Sequence, residues 1–494
     1  MHGHRLPIWL IIPLGFAAAC AAYGATVDTG RPAIVEAAKQ NNKAELKALL
    51  AKKTDPNAAD ADGSTALLWT AYHDDVESAG ALIRAGAKPN AATDLGVTPL
   101  WQASENGNSA MVKLLLGAGA DPNLALLSGE TPLMVASRSG YPDAAEQLLA
   151  KGANPNAHGT RGQTALMWAV SQKHPEVVKV LLAHHADLNL KSDVYNEVMA
   201  VPPHGYLPYN KSIPHGGETA LMFAARVGDL ESAKLLLAAG ANAKDADAWG
   251  VSALTLSEHS GFSDLTLFLL DKGADPNAIP NGFSALDEAI MRRDERVIEA
   301  LLDHGADANA TLKTWTPTRR SSDDFNFEPQ IVGASPLWLA ARFDEVDAMR
   351  ALMKHGADPK FVLHSDYVAE QGFGQAPRKE TATVVTAALG FIRTNSWVPA
   401  PRAGAEAAAL EAVKMCAEAG ADLNLANTDG RTALDAAKSL KYQSVVDYLT
   451  EKGAKAGTGG AGNGGRGGRG RGAAAGSNTP PASRITAPES AEPK

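Results

Sequence analysis

One phrase of sequence recurs along this chain at a step of about 33 residues, the spacing of stacked units that are each too small to bury an apolar face alone. The clearest copies are DPNLALLSGETPLMVASRSGYPDAAEQLLAKGANPN (Asp121 to Asn156) and GQTALMWAVSQKHPEVVKVLLAHHADLN (Gly162 to Asn189). Equivalent marker residues are Lys53, Gly86, Gly119, Gly152, His185, Gly240, Gly273, Gly305, Gly356, Gly420 and Gly453. Successive markers differ by 33, 33, 33, 33, 55, 33, 32, 51, 64 and 33, so eleven units stand in line and three connections are lengthened. A chain built this way forms a linear array, not a globule around one pocket.

The physics of one unit is visible in the fourth copy. Thr131 is placed to cap a helix whose first residue is Pro132, where a missing N–H is harmless. Leu133 and Ala136 face inward, and Gly140 ends the helix. A second helix is expected over Asp143 to Lys151, with Ala145, Leu148 and Leu149 apolar and Gly152 in the left-handed region after it. Lys53 and His185 fill that glycine's position in their own units, and His tolerates the left-handed region better than most residues.

The period and the signatures TALLWTA (Thr65 to Ala71), TPLWQAS (Thr98 to Ser104), TPLMVAS, TALMWAV, TALMFAA and SPLWLAA (Ser335 to Ala341) resemble the ankyrin repeat over roughly Arg31 to Ala454. The resemblance implies an all-α solenoid of about eleven helix-turn-helix repeats with three inserted loops. One departure is consistent. Where the family has His after T-P-L, this chain has Leu68, Trp101, Met134, Met167, Met222 or Trp338, so apolar packing is expected to replace the hydrogen bonding of the family's His and Thr.

The inserted segments are Lys191 to Gly216, Thr311 to Gly333 and Phe361 to about Gly404. They carry Tyr195, Tyr206, Tyr209, Trp315, Phe325, Phe327 and Trp397, too aromatic for inert linkers, and insertions into repeat arrays tend to map to one face. Within the third, Thr381 to Gly390 reads as the first helix of the tenth repeat and Ala405 to Gly420 as its second.

Residues 1 to 25 are of another kind: MHGHR, then LPIWLIIPLGFAAA, then ACAAYGA, the layout of a secretory signal cleaved near Ala22 to Ala25. The expected product is secreted or periplasmic. A second reading stays open, because AAAC imperfectly resembles a lipoprotein cleavage box and would anchor the chain to the cell envelope through Cys20. Cys416 sits where other units place Leu and reads as a small buried hydrophobe. From Lys455 to Lys494 the chain is Gly/Arg-rich, with too few apolar residues to offset ordering entropy, so a disordered tail is expected. Its Gly460, Gly462 and Gly465 spell G-x-G-x-x-G without a flanking strand or helix. Arg466, Arg469 and Arg471, on a chain of formal net charge -9, make no case for nucleic acid.

No H-E-x-x-H, C-x-x-C, G-x-S-x-G or G-x-x-x-x-G-K-S/T occurs, and neither cofactor nor metal is expected. His184 and His185 end a helix and read as structural. Asp323, Asp324 and Glu328 lie beside Arg319 and Arg320 in a self-neutralising loop. The sequon at Asn309 uses the ordinary repeat Asn and reads as incidental, whereas Asn210 lies in an insertion.

What the resemblance implies about binding concerns the hairpin tips and the two residues after each first helix's A-A step. Carried over position by position, these are Tyr72 and His73, Glu105 and Asn106, Arg138 and Ser139, Ser171 and Gln172, Arg226 and Val227, Glu258 and His259, Arg292, and Arg342 and Phe343. The tips add Leu95, Arg161, Trp249 and Phe283. Tyr, Trp, Phe and Arg dominate binding hot spots. The expectation is a monomeric, non-catalytic scaffold that binds another protein outside the cytoplasm and touches a membrane only if lipidated at Cys20. The alternatives are an enzyme or its regulatory arm with a site built from the insertions, and a lipid-anchored structural protein of the cell surface. Convergence of His204, His215, Asp323, Asp324 and Glu328 in one cleft would favour the enzyme.

Overall fold

The computed structural model describes residues 31–199, 211–278, 282–314, 329–371, 374–390 and 404–458. Helices occur in consecutive pairs. The first members are α1 (Ala33–Lys39), α3 (Ala66–Tyr72), α5 (Pro99–Asn106), α7 (Pro132–Ser139), α9 (Ala165–Ser171), α11 (Ala220–Val227), α13 (Ala253–His259), α15 (Ala285–Arg292), α17 (Pro336–Arg342), α19 (Val384–Ala387) and α21 (Ala433–Leu440). The second members are α2 (Lys43–Ala51), α4 (Val76–Arg84), α6 (Ser109–Gly117), α8 (Pro142–Ala150), α10 (Pro175–Ala183), α12 (Leu230–Ala238), α14 (Ser263–Asp271), α16 (Glu295–Asp303), α18 (Val346–Lys354), α20 (Ala405–Glu418) and α22 (Gln443–Glu451). First helices stack on first helices and second on second, giving a two-layer helical solenoid with a core continuous from Ile34 to Leu449.

Local sequence explains the helix ends. Thr65, Thr98, Thr131 and Thr164 each accept, through Oγ1, the amide three residues on at 3.1 to 3.3 Å. Pro opens α5, α7 and α17, where it displaces no helical hydrogen bond. The expected loss of the Thr hydrogen bond is thus corrected at these caps, since the hydroxyl does its work without the family's His. The other half of that expectation holds: Leu68, Trp101, Met134, Met167, Met222 and Trp338 are all buried. Lys53 and His185 adopt φ of 59° and 60°, the same left-handed region as Gly152 at 87°.

The Asn that recurs four residues after most of the markers stitches neighbouring repeats together at several boundaries. Asn123 Nδ2 donates to the Gly152 carbonyl at 3.0 Å, and its Oδ1 accepts the Asn154 amide at 2.8 Å. Asn57, Asn90 and Asn277 make the same pair of bonds. Asn309 does so across the second insertion, to Gly356 O at 2.9 Å and Asp358 N at 2.8 Å. Its amide is therefore committed to the backbone, which supports reading that sequon as incidental.

Each connection from a second helix to the next first helix runs out to a tip and back, like a finger. In two of the three inserted segments the finger is lengthened into a strand pair, which corrects the all-α expectation. β1 (Tyr195–Met199) pairs antiparallel with β2 (Lys211–His215), Tyr195 opposite His215. β3 (Val362–Gln371) pairs antiparallel with β4 (Gly374–Thr383). The period-two signal was there: Leu363, Ser365 and Tyr367 are buried while His364 and Asp366 are exposed. The buried Trp338 indole donates to Ala382 O at 3.2 Å and clamps β4 to the array. The helix expected over Thr381 to Gly390 shrinks to α19, because Ala382 and Thr383 belong to the β3–β4 ladder. Despite the insertions, α9 packs directly on α11, α15 on α17, and α17 on α19.

The tail boundary also moves. Lys455 N donates to Asn424 Oδ1 at 2.7 Å, Thr432 Oγ1 to Lys455 O at 2.8 Å, and Gly457 N to Asp435 Oδ2 at 2.7 Å. The array thus extends to Gly457, and residues 459–494 of the expected tail lie outside the described residues.

Candidate functional site

In a first helix the fourth and seventh residues after the cap are neighbours on one face. The fourth positions include Trp69, Gln102, Trp168, Phe223 and Leu256; the seventh include Lys39, Tyr72, Glu105, Arg138, Arg226 and His259. Stacking brings the seventh residue of one repeat to the fourth of the next. Lys39 Nζ lies 5.0 Å from the centre of the Trp69 ring, the Arg138 guanidinium 5.6 Å from that of Trp168, and His259 Nδ1 3.3 Å from Glu288 Oε1. Tyr72 closes edge-on to Trp69 at 5.6 Å and is itself 54% exposed. The result is two aromatic sites on this face, Trp69 with Tyr72 and, three repeats on, Trp168, each with a cation from the preceding repeat in a contact worth about 0.5–1 kcal/mol at an exposed site.

A second rule fixes the arginines within a repeat. The residue just before the cap faces the seventh position, pairing Glu130 with Arg138 and Glu218 with Arg226. Burial lifts the Glu130 carboxyl above its ordinary range, with Arg138 opposing. These arginines are oriented before any partner arrives, so ordering them costs little on binding.

The expected contact residues divide by placement. Tyr72, Leu95, Arg161 and Arg226 are exposed; His73, Glu105, Arg138, Trp249, His259, Arg292 and Phe343 are half-buried. His73 Nε2 bonds Lys39 O at 2.9 Å and Arg292 Nη1 donates to His259 O at 3.2 Å, so both tie adjacent repeats together. Asn106 Nδ2 does the same to Tyr72 O at 3.1 Å. Glu258, Phe283 and Arg342, at 0%, 5% and 9% exposure, are interior and leave the exposed set. For two of them the reason is a slip of frame. Counted from Ser252, Glu258 is the sixth residue, equivalent to the buried Ser104 and Ser137; the open pair is His259 with Ser260. Phe283 immediately precedes its cap, equivalent to Val97 and Val251, and packs edge-on against Trp249 at 5.8 Å. Arg342 keeps the correct frame and is nonetheless covered.

The slip exposes a distinct feature. Glu258 and Glu288, on α13 and α15, are both buried, with Arg292 Nε 3.9 Å from Glu258. Burial, reinforced by Asp294 and opposed by Arg292, pushes the Glu258 carboxyl up to about 7. Burial likewise pushes Asp287 up to about 7 against its bonds from Ser284 N and Oγ, both 2.9 Å. These are protonatable groups buried in the seam between α13 and α15. Among the described residues no three His, Cys, Asp or Glu side chains are grouped to hold a metal ion. Cys416 is fully buried, its thiol pushed up to about 12, which makes it inert as a nucleophile.

Several expectations concern residues outside the description: the signal segment with Cys20, and His204, Asp323, Asp324 and Glu328. His215 is described and faces Glu197 at 3.6 Å within its hairpin. Sequence reasoning missed Trp69 and Trp168, which a step of three back from each seventh position would have found, and Leu127, Val194 and Val198 on the fingers.

The family models agree with this architecture. A family model described as ankyrin repeats (3 copies) matches residues 34–126, 100–192 and 221–312, and one described as ankyrin repeat matches 332–362, together more than half of the chain. An ankyrin repeat and KH domain-containing protein of Caenorhabditis briggsae is 29% identical over 239 residues, 48% of this chain and 8% of that protein. The chain therefore spans a small part of that relative's length. The crystal structure of the human ASB11 ankyrin repeat domain is 29% identical and covers 50% of this chain and 100% of its own, with a TM-score of 0.41. Helix pairs capped by T-x-L signatures, left-handed closures, Asn stitches and the two family-model matches have one reading, and the chain belongs to the ankyrin-repeat family.

Proposed function

We propose that this chain is a non-catalytic scaffold that binds another protein outside the cytoplasm, through its first-helix face and its inserted segments. Ankyrin repeats are in general protein-interaction scaffolds, a role that needs no cofactor. The observation that carries the reading is the set Trp69, Tyr72, Arg138, Trp168 and Arg226, hot-spot residue types held by partners within the array. Location outside the cytoplasm is supported by the apolar stretch Leu6 to Ala19 and the small residues after it.

Affinity capture from the native envelope fraction, with mass spectrometry of what is retained, tests both parts. One specific protein should be retained by the wild-type chain. Tyr72→Ala and Trp168→Ala, measured as folded proteins, should each weaken its binding by about 1 to 4 kcal/mol. Retention that ignores both substitutions would move the site off this face. Intact mass of the native protein reports the rest: a chain beginning between Ala21 and Thr26 supports export in soluble form, and a diacylglycerol adduct on Cys20 replaces it with an anchored one.

A further inference from the structure

The stack of first helices changes character at one boundary. Counted from the cap, the sixth residue of a first helix in other repeats is Ser104, Ser137, Ala225 or Ala341, and the fourth is Trp69, Trp168, Phe223 or Leu339. Repeats seven and eight put Glu258 and Glu288 at these places, 0% and 1% exposed. Among the described residues none of their four carboxylate oxygens has a hydrogen-bond partner. A buried carboxylate without donors is strongly disfavoured as the anion, and it escapes by taking a proton or by gaining water.

The charges that face this seam do not balance. From α15, Arg292 Nε stands 3.9 Å from Glu258, and from α13, His259 Nδ1 stands 3.3 Å from Glu288. Asp294, the cap of α16, adds a carboxylate held by Ser263 Oγ and the Val297 amide. Asp287 on α15 is tied to Ser284 N and Oγ, and on α14 Thr266 Oγ1 is engaged with Ser257 Oγ at 2.9 Å. Farther out, Arg226 of α11 pairs with Glu218, Glu345 before α18 pairs with Arg293, and Arg342 of α17 acts on Asp344. Once Glu258 is ionised, it meets Glu288 and Asp294 with Arg292 as the permanent cation between them.

The second-helix layer at the same boundary is fastened. Arg296 of α16 pairs with Asp264 of α14 at 2.6 Å, and Leu265, Leu269, Val297 and Leu301 are buried between these helices. Asn277 adds its stitch, to Gly305 O at 2.8 Å and from Asp307 N at 2.7 Å. The tie on the first-helix side is Arg292 Nη1 to His259 O at 3.2 Å, between half-buried residues. One side of the boundary resists opening, and the other holds the groups that gain from water.

We propose that the boundary between repeats seven and eight is a proton-operated hinge: with Glu258 protonated α13 and α15 stay closed, and with Glu258 ionised they part about the α14–α16 layer and admit water. Opening releases the proton, so acid closes the hinge and base opens it. Burial places the Glu258 carboxyl at about 7, so the hinge works across neutral pH. A tilt here changes the curvature of the whole array while the repeats on either side stay folded.

The test is amide hydrogen exchange of the full chain at pH 5.5 and pH 8, read by mass spectrometry peptide by peptide and corrected for the intrinsic effect of pH on exchange. Opening of α13 and α15 should rise more than about tenfold at pH 8, the size expected when a carboxyl at about 7 returns to its ordinary range on opening. Helices α5, α7, α14 and α16 should keep their protection. Glu258→Gln should leave α13 and α15 equally protected at both pH values, and Asp287→Asn should leave the response in place. Asp294→Asn keeps a capping side chain and should move the opening to lower pH, because the Asp294 charge opposes ionisation of Glu258; if Glu258→Gln does not fold, this shift decides alone. Protection lost evenly along the array, protection of α13 and α15 indifferent to pH, a response that survives Glu258→Gln, or an opening that Asp294→Asn does not move overturns the hinge.

Discussion

Asn123 illustrates how much one side chain does in this array. It both donates and accepts across the boundary to the next repeat, and Ala can do neither. At about 0.5–1.5 kcal/mol net per hydrogen bond, Asn123→Ala should lower the unfolding free energy by about 1 to 3 kcal/mol, measured by denaturant titration. Leu236→Ala or Leu269→Ala should cost about 2 to 5 kcal/mol, because each empties a fully buried site on a second helix. A loss for Asn123→Ala as large as these would mean that the repeat boundary, not the core, limits stability. Thr131, Gly152 and His185 were legible in sequence because caps and left-handed closures depend on residues close by in the chain. Glu258 was misplaced because the face of a helical residue changes by about 100° per position, and Phe283 because the tip of its connection was counted two residues too close to the cap. A frame counted from a motif internal to the helix slips where one counted from the cap does not.

At the scale of elements, α13 and α15 form the seam that should respond to pH. Glu258 and Asp287, ordinarily at 4.5 and 3.8, sit at about 7 when folded. The folded chain therefore holds protons that the unfolded chain releases. Stability falls as pH rises from about 4 through 7 and levels off above it. Facing the seam are Asp294, Glu288, Arg292 and His259. Thermal unfolding should show a higher midpoint at pH 5.5 than at pH 8, and Glu258→Gln should flatten that slope. A slope unchanged in the variant would take Glu258 out of the linkage. The β3–β4 hairpin shows why elements inside the insertions were harder to read than the helices. Its alternation is plain over Val362 to Tyr367, but the helical look of Thr381 to Gly390 is overruled by pairing with a strand some twenty residues earlier in the chain, and long-range pairing leaves little local trace.

For the whole molecule, the decisive fact is that stability is passed between neighbours. Cutting after Thr458 should leave melting unchanged. Cutting after Ala454 should lower it slightly, by removing the bonds of Lys455 and Gly457. Cutting after Ala426 should lower it much further, because α21 and α22 cover α19 and α20. Equal transitions for the last two truncations would deny the terminal pair its capping role. Replacing Tyr195 to His215 by a short tip should leave melting close to wild type, since α9 already packs on α11 without the hairpin.

Among the described residues three boundaries lack the stitch. No such bond runs from Asn189, and Lys244 and Lys360 occupy the stitching position, where a lysine side chain has no acceptor. The backbone bonds of Asn57, Asn90, Asn123 and Asn156 form one run, those of Asn277 and Asn309 a second, and that of Asn424 a third. Pulled from its two ends, such a chain is three short springs in series with weak couplings between them. Single-molecule extension should record rips that begin at these unstitched boundaries, and Lys360→Asn, which would close the one isolated gap, should raise the force at which the last two repeats separate from the rest.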